Sequence, residues 1–322
     1  MNSSEFDVIK KYFTFPSSRD DVILAGGDDC ASVIVPEEHE LVITTDTLVS
    51  GVHFPEGTSA RDIAYKSLMV NLSDLASMGA APAWITLAIT LPEIDEDWLN
   101  DFSEQLSALL SEHNVALIGG DTTRGPLSIT IQAMGLVPKD KKLLRSQAET
   151  GDKIFVTGYI GDAVLGLRAV LDGNNDEVLT PCISRLNRPD VRVVFAQHLI
   201  GLSRCAIDIS DGLVADIGHI MEQSHAGVMI ELDKVPISPS ARGYFSNIKD
   251  GSIDWSLLLT GGDDYELCFT VEPEREDEVY SLAQKHGLMV SCIGIVTDDH
   301  AMRIIDENNE TVELEGAGYQ HF

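Results

Sequence analysis

The sequence predicts a two-domain α/β protein with mixed sheets, and three observations carry that prediction. Short apolar runs alternate with amphipathic helical stretches along the chain, the pattern of strands layered with helices. A length of 322 residues suits two domains of roughly 150 residues each. The basic segment Pro138-Lys-Asp-Lys-Lys142 interrupts the pattern near the middle, and that shift in composition puts the boundary between 138 and 150. The expected domains are therefore 1–140 and 150–322.

Element by element, Leu41-Val-Ile-Thr-Thr45 reads as a strand. Ala60 to Met78 reads as a helix, because Ala64, Leu68, Leu72 and Leu75 fall on one face, and Gly79 and Pro82 stop it. Asp95 to His113 is a second helix: acids open it, and Leu99, Phe102, Leu106, Leu109 and Leu110 form a buried stripe. Strands follow at Val115–Ile118 and Ser128–Met134. Beyond the boundary, Lys153–Thr157 is a strand, Gly158-Tyr-Ile-Gly161 a turn, and a helix runs through Ala169. The polar stretch Asp172 to Asp190, with Pro181 and Pro189, reads as a long loop. Helices are expected at Val191–Leu199, Leu213–His225 and Glu276–Lys285, and strands at Cys205–Ile209, Val228–Leu232, Leu267–Val271 and Val290–Val296. Pro236 to Pro239 reads as a turn, and Ser256-Leu-Leu-Leu259 is an apolar run of open type.

Composition narrows the function. With 22 Lys plus Arg against 52 Asp plus Glu, the formal charge is −30, which disfavours nucleic-acid or membrane binding driven by net charge. The chain has no apolar stretch of bilayer length, and its start, Met1-Asn-Ser-Ser, lacks a basic and apolar leader. A cytoplasmic protein is expected. Five scattered cysteines without a C-x-x-C pair read as reduced thiols rather than a disulfide framework or a thiolate metal site.

The informative feature is where acids sit. Gly26-Gly-Asp-Asp29, Thr44-Thr-Asp46, Gly119-Gly-Asp121, Asp208-Ile-Ser-Asp-Gly212 and Gly261-Gly-Asp-Asp264 each open or close a core strand, and Asn71 and Asp74 share a helix face. Any one such cluster is an ordinary turn. Five of them point to Asp29, Asp46, Asp74, Asp121, Asp208 and Asp211 as Mg²⁺ ligands, with Thr44, Thr45 and Ser210 as further oxygen donors. Mg²⁺ is a hard cation held by one or two carboxylates plus substrate phosphates, and ions between the acids would turn a repelling cleft into one that accepts a nucleotide. The bland alternative is an acidic protein decorating its loops.

No G-x-x-x-x-G-K-[ST] loop is present, nor H-R-D or D-F-G, so the usual phosphate cradles are missing. Gly158, Gly161 and Gly166 read as a structural turn. His53 stands beside the Asp46 strand end as either a packed residue or a ligand. Arg124 and Arg145 are conspicuous among so few cations, each either a surface ion pair or a site residue. Tyr319 is a core anchor or a stacking platform, with the former favoured.

Gly-Asp-Asp-Cys-Ala (27–31), Thr-Thr-Asp-Thr-Leu-Val (44–49), His53-Phe54, Asn-Leu-Ser-Asp-Leu-Ala-Ser-Met-Gly-Ala (71–80), Gly-Gly-Asp-Thr-Thr-Arg-Gly (119–125), Ile-Asp-Ile-Ser-Asp-Gly-Leu (207–213) and Asp-Tyr-Glu-Leu (264–267) together resemble the thiamine-monophosphate kinases. These enzymes belong to the aminoimidazole ribonucleotide synthetase-like superfamily, and the likeness spans the whole chain. The resemblance implies transfer of the γ-phosphate of ATP to thiamine monophosphate, and a homodimer whose N-terminal sheets pair into a barrel. It further implies a nucleotide cleft between an N-terminal ATP- and Mg-binding domain and a C-terminal domain that closes it. By position it implies Asp29, Thr44, Thr45, Asp46, Asp74, Asp121, Asp208 and Asp211 on several Mg²⁺ ions. Gly120, Asp121, Arg145 and Ser210 would meet ATP, and His53, Asp263 and Tyr319 the thiamine moiety. Asp46, Asp121 and Arg145 would carry catalysis. Asp263 replaces the family's usual Glu, which keeps the charge and shortens its reach.

Two other readings compete. One is an aminoimidazole ribonucleotide synthetase-like ligase, against which stand His53 and the Tyr319-Gln-His-Phe322 ending. The other is a non-catalytic acidic cation-binding protein, which explains the charge but not the Thr, Ser and Gly partners around each Asp.

Overall fold

Around a four-stranded sheet the first half of the chain builds its core. The computed structural model describes residues 5–16, 19–248, 251–316 and 318–319, so the Met1–Ser4 start and the Gln-His-Phe322 ending lie outside the described residues. The chain divides into two compact units, 1–75 with 80–140 and 76–79 with 141–322.

The first unit runs α1 (Glu5–Tyr12), β1 (Val22–Leu24), β2 (Ser32–Val33), β3 (His39–Val49), α2 (Ala60–Ser77), β4 (Ala81–Leu91), α3 (Glu96–Glu112), β5 (Ala116–Arg124) and β6 (Ser128–Pro138). The sheet order is β3-β6-β4-β5, antiparallel except where β4 meets β5. Asp95 caps α3 by accepting hydrogen bonds from the backbone of Asp97 and Trp98 at 3.0 and 3.1 Å, the local reason the helix starts there. Its expected stripe, Leu99 to Leu110, is buried.

The sequence reading passed over β4. Pro82 argues against a central strand because it cannot donate to the ladder. The structure accommodates it at the strand's start, where the register to β6 shifts between Pro82 and Trp84. Beyond that point Ile85, Leu87, Ile89 and Leu91 are buried while Thr86 and Thr90 are half-buried and Ala88 is exposed, an alternation that the run Ile-Thr-Leu-Ala-Ile-Thr-Leu also carries in sequence.

The second unit has a six-stranded sheet, order β12-β9-β11-β7-β10-β8. Its strands are β7 (Lys153–Thr157), β8 (Cys205–Asp208), β9 (Gly227–Glu231), β10 (Leu267–Val271), β11 (Val290–Thr297) and β12 (Met302–Ile305). Helices α4 (Asp162–Asp172), α5 (Thr180–Asn187), α6 (Val193–Leu199), α7 (Leu213–Ser224), α8 (Pro239–Asn247), α9 (Trp255–Thr260) and α10 (Glu276–His286) connect them.

One expectation needs correction, and one run left open is assigned. The supposed loop from Asp172 to Asp190 contains α5: Pro181 sits in its first turn, where a missing N–H is harmless, and Cys182 and Leu186 are buried. Ser256–Leu259 belongs to helix α9, capped by the Asp254 carboxylate on the Leu257 N–H at 3.0 Å. The turn reading holds at Gly158 and Gly161, which have left-handed backbones, but Gly166 lies inside helix α4 and is there for close packing. A Cβ on Gly158 would strike the Glu266 carboxylate, and one on Gly166 would strike the Cys182 carbonyl.

Candidate active site

In the first unit, β-strand periodicity assembles the candidate ligands. Residues two apart on β3 share a face, so Thr44 and Asp46 point the same way while Thr45 lies on the exposed side. Opposite them α2 presents Asn71 and Asp74, one helical turn apart. Asn71 accepts a hydrogen bond from the Asp46 backbone N–H at 3.2 Å and anchors its own amide on the Ser67 carbonyl at 3.0 Å. The Thr44 hydroxyl donates to the Asp74 carboxylate. Thr45 accepts from Gln132 at 3.4 Å.

Asp121 pairs across the sheet with Ala88, in the row that continues to Thr130 and Thr47. Asp46 lies one row along, with Ile131, Leu87 and Gly120. At Gly120 a Cβ would fall 1.9 Å from the Leu87 carbonyl oxygen, so the close strand pairing requires glycine there. Asp29 is exposed on the turn between β1 and β2, its N–H bonded to Asp28 at 2.9 Å.

His53 is half-buried, and its Nδ1 accepts from the Val49 N–H at 3.0 Å. That contact places the ring proton of the neutral imidazole on Nε2. Buried Lys66 donates to the His53 carbonyl at 3.1 Å, holding the loop in place. Lys66 was missed because the helix was read for its apolar face; a lone cation within that run was the available signal.

In the second unit, Asp208, Ser210, Asp211, Asp263 and Tyr319 are brought together at one end of β8 and β10. Asp208 is buried and paired with Leu267. Asp263 donates its N–H to the Ser210 carbonyl at 2.8 Å, Tyr265 donates to Ile209 at 2.8 Å, and Tyr319 donates to Asp211 at 3.1 Å. Asp263 and Tyr265 both have left-handed backbones, φ 73° and 51°, which for side-chain-bearing residues persist only when neighbours over-determine them. The Tyr265 hydroxyl also bonds Asp263 at 3.0 Å.

Buried acids hold this end of the unit. One oxygen of Asp216 accepts from the N–H groups of Ser210 and Asp211 at 3.0 and 3.1 Å. Burial pushes its carboxyl up to about 7, with those N–H groups and the nearby Arg145 charge pulling it part of the way back. Asp264 accepts from the Gly161 N–H at 2.8 Å, and burial holds its carboxyl well above the ordinary range. Glu266, 1% exposed, accepts from Thr157 at 2.6 Å, Arg185 at 2.7 Å and Arg192 at 2.6 Å. Asp264 and Glu266 stand in motifs legible in the sequence and Asp216 does not, but the framework role of all three is not legible there, because burial and partner identity are not written in local spacing.

The donors gathered on β3 and α2 are all oxygens, the set a hard divalent cation takes, and a pair of carboxylates suffices where phosphate completes the shell. Among the described residues no group of three or more His, Cys, Asp or Glu is arranged to hold a metal ion. Nor is any helix among them long and apolar enough to cross a membrane.

Fold and residues define an AIR synthase related protein: the model of that family's N-terminal domain matches residues 27–137, and that of its C-terminal domain matches residues 149–307. Within that class the chain belongs to the thiamine-monophosphate kinase family. It is 43% identical over 330 residues to the thiamine-monophosphate kinase of Haemophilus influenzae, covering 100% of this chain and 99% of that protein. The crystal structure of thiamine-monophosphate kinase from Stenotrophomonas maltophilia K279a superposes with a TM-score of 0.84 at 42% identity, covering 92% of this chain and 93% of that one. AaThiL complexed with AMPPCP and TMP superposes with a TM-score of 0.78 at 26% identity, covering 98% and 96%.

Proposed function

We propose that the protein transfers the γ-phosphate of ATP to thiamine monophosphate, releasing thiamine diphosphate and ADP. Full-length identity to thiamine-monophosphate kinases carries this reading, and a structural neighbour complexed with AMPPCP and TMP supports it. The acceptor oxygen belongs to a phosphate whose second pKa is about 6, so at neutral pH it is already largely ionised and no general base is needed. The barrier is the approach of two anions, and catalysis consists of in-line positioning and charge neutralisation.

In this reading Asp29, Thr44, Thr45, Asp46, Asp74, Asp121, Asp208 and Asp211 hold Mg²⁺ ions. When bound, Mg²⁺ supplies positive charge between the phosphates. Gly120, Asp121, Arg145 and Ser210 bind ATP, and the Arg145 guanidinium adds charge that needs no metal. His53, Asp263 and Tyr319 bind the thiamine moiety, His53 through an Nε2–H that its tautomer makes a donor. We assign residues 1–140 to ATP and metal binding and to dimerisation, and residues 150–322 to the domain that completes the reaction. We further propose a cytoplasmic location, where ATP is at hand.

A homodimer is supported by β3. It is an edge strand whose outward row includes Leu41, 38% exposed, and Ile43, 56% exposed. An exposed apolar edge is a pairing hazard unless something covers it. A second copy pairing its sheet into a shared barrel would cover it.

Incubation with ATP, Mg²⁺ and thiamine monophosphate, followed by chromatography, tests the reaction: thiamine diphosphate should form, and its absence refutes the proposal. Asp46→Asn and Asp121→Asn should each abolish turnover with an unchanged circular dichroism spectrum. Near-normal activity in both would remove the metal-cluster mechanism.

A further inference from the structure

A groove of about 470 Å³ runs along the outer side of α7. Asp211 stands at its N-terminal end and Tyr319 forms one wall, while Ala215, Gly218, His219 and Glu222 line it from successive turns of the helix. Eleven residues separate Asp211 from Glu222, which is about 16 Å along a helix.

Gly218 is the unexpected residue. Glycine in a helix interior is destabilising relative to alanine, because the unfolded chain loses more freedom. Its backbone here is not in the left-handed region, and a Cβ would meet no protein atom within 4 Å. Neither conformation nor internal packing asks for glycine, and what a side chain would enter is the groove. The groove's two ends also differ. At one end the positive pole of α7 lies beside the Ser210 backbone and Asp211, the acid that the proposed function assigns to Mg²⁺. At the far end lies the exposed carboxylate of Glu222.

Thiamine monophosphate matches that layout, with an anionic phosphate at one end and a permanently cationic thiazolium joined to an aminopyrimidine at the other. We propose that Gly218 and Glu222 determine the specificity of this groove for a cationic aromatic ring system. Gly218 leaves the floor bare so that a flat ring can lie against the helix beside Tyr319. Glu222 opposes the ring cation and repels the phosphate, which fixes the direction in which the substrate lies. The inference rests on the phosphotransfer reading above, which supplies the substrate but assigns neither residue.

Steady-state kinetics on the full-length protein test it, with thiamine monophosphate and ATP varied in turn. Gly218→Leu should raise KM for thiamine monophosphate about a hundredfold, and Glu222→Gln about tenfold, with KM for ATP changed by less than about twofold. Glu222→Asp should recover much of the loss. Gly218→Ala keeps the test independent of folding: its Tm should rise while KM for thiamine monophosphate also rises. If wild type is active and both Gly218→Leu and Glu222→Gln keep KM for thiamine monophosphate within about twofold, the inference is overturned and the phosphotransfer reading survives. If wild type leaves thiamine monophosphate unchanged, the phosphotransfer reading fails and takes this inference with it.

Discussion

Glu266→Gln should be among the most damaging single-atom changes in this protein. The carboxylate is 1% exposed and accepts hydrogen bonds from Thr157, Arg185 and Arg192. The Thr157 hydroxyl it orients also accepts the Leu267 N–H at 2.9 Å. Removing one partner of a buried ion pair costs about 3–5 kcal/mol, because the remaining charge stays desolvated. Here the two arginine side chains are each 18% exposed, and Arg185 keeps Asp190 at 2.5 Å. The lower end, about 3 kcal/mol, is therefore expected. Urea unfolding followed by both circular dichroism and tryptophan fluorescence measures the loss and shows whether one transition describes it. Adding Arg192→Met to Glu266→Gln should recover part of the loss, since the unpaired charge is then gone. The reasoning is refuted if the single variant loses less than about 1 kcal/mol, or if the two losses simply add. Because Glu266 anchors the strand end that carries Asp263, KM for thiamine monophosphate should rise in the same variant.

Two further perturbations read other parts of the molecule. Asp162 is buried, and burial raises its carboxyl above the ordinary value despite hydrogen bonds from Ser238 and Cys182. The folded state therefore holds the proton more tightly than the unfolded chain, and the stability Asp162 contributes at low pH is lost as pH rises through its folded pKa. Asp162→Asn cannot ionise, so its stability relative to wild type should improve between about pH 4 and about pH 8, measured by urea unfolding at both ends. A difference moving the other way contradicts the sign. Ile43→Lys places a charge on the exposed edge strand without disturbing the buried face, and on the proposed homodimer light scattering after gel filtration should show wild type as a dimer and the variant as a folded monomer. A monomeric wild type, or a variant that remains dimeric, rejects β3 as the interface.

Legibility followed periodicity. The stripe of α3 was readable because one face is buried and the other is not, and the mixed α/β, two-domain architecture followed from such alternation. β4 did carry a readable alternation, Ile85-Thr-Leu-Ala-Ile-Thr-Leu91, but Pro82 at its start reads as the stop of the preceding helix and argues against a strand. α5 was hidden by Pro181, a residue that breaks helices everywhere except the first turn. At the site, Thr44, Asp46, Asn71 and Asp74 could be grouped because their spacing of two on a strand and three on a helix fixes which side chains share a face. Gly218 and Glu222 could not, because a groove along a helix is visible only when Tyr319, nearly a hundred residues later in sequence, closes its wall.

Acid count alone does not divide the 52 acids; burial and partners set one group of them apart, although Asp208, a proposed ligand, is buried as well. Asp162, Asp216, Asp264 and Glu266 are buried and turned toward fixed donors of the protein: a serine hydroxyl, backbone N–H groups and two guanidinium groups. Their acceptor capacity is taken up by the frame, and burial without a cation favours the neutral form in three of them. Asp46, Asp121 and Asp211 are at least partly exposed, and the hydrogen bonds at Asp46 and Asp211 that fix their place run through the main chain. Exposure leaves these carboxylates within reach of a cation arriving from solvent. The two groups alternate along the same short motifs, so that Asp263 stands beside Asp264, and Asp211 five residues from Asp216. In these two places of the second unit an acid proposed to bind stands close to an acid that holds the backbone in position, and for that reason substitutions of the second group should act on KM and stability together.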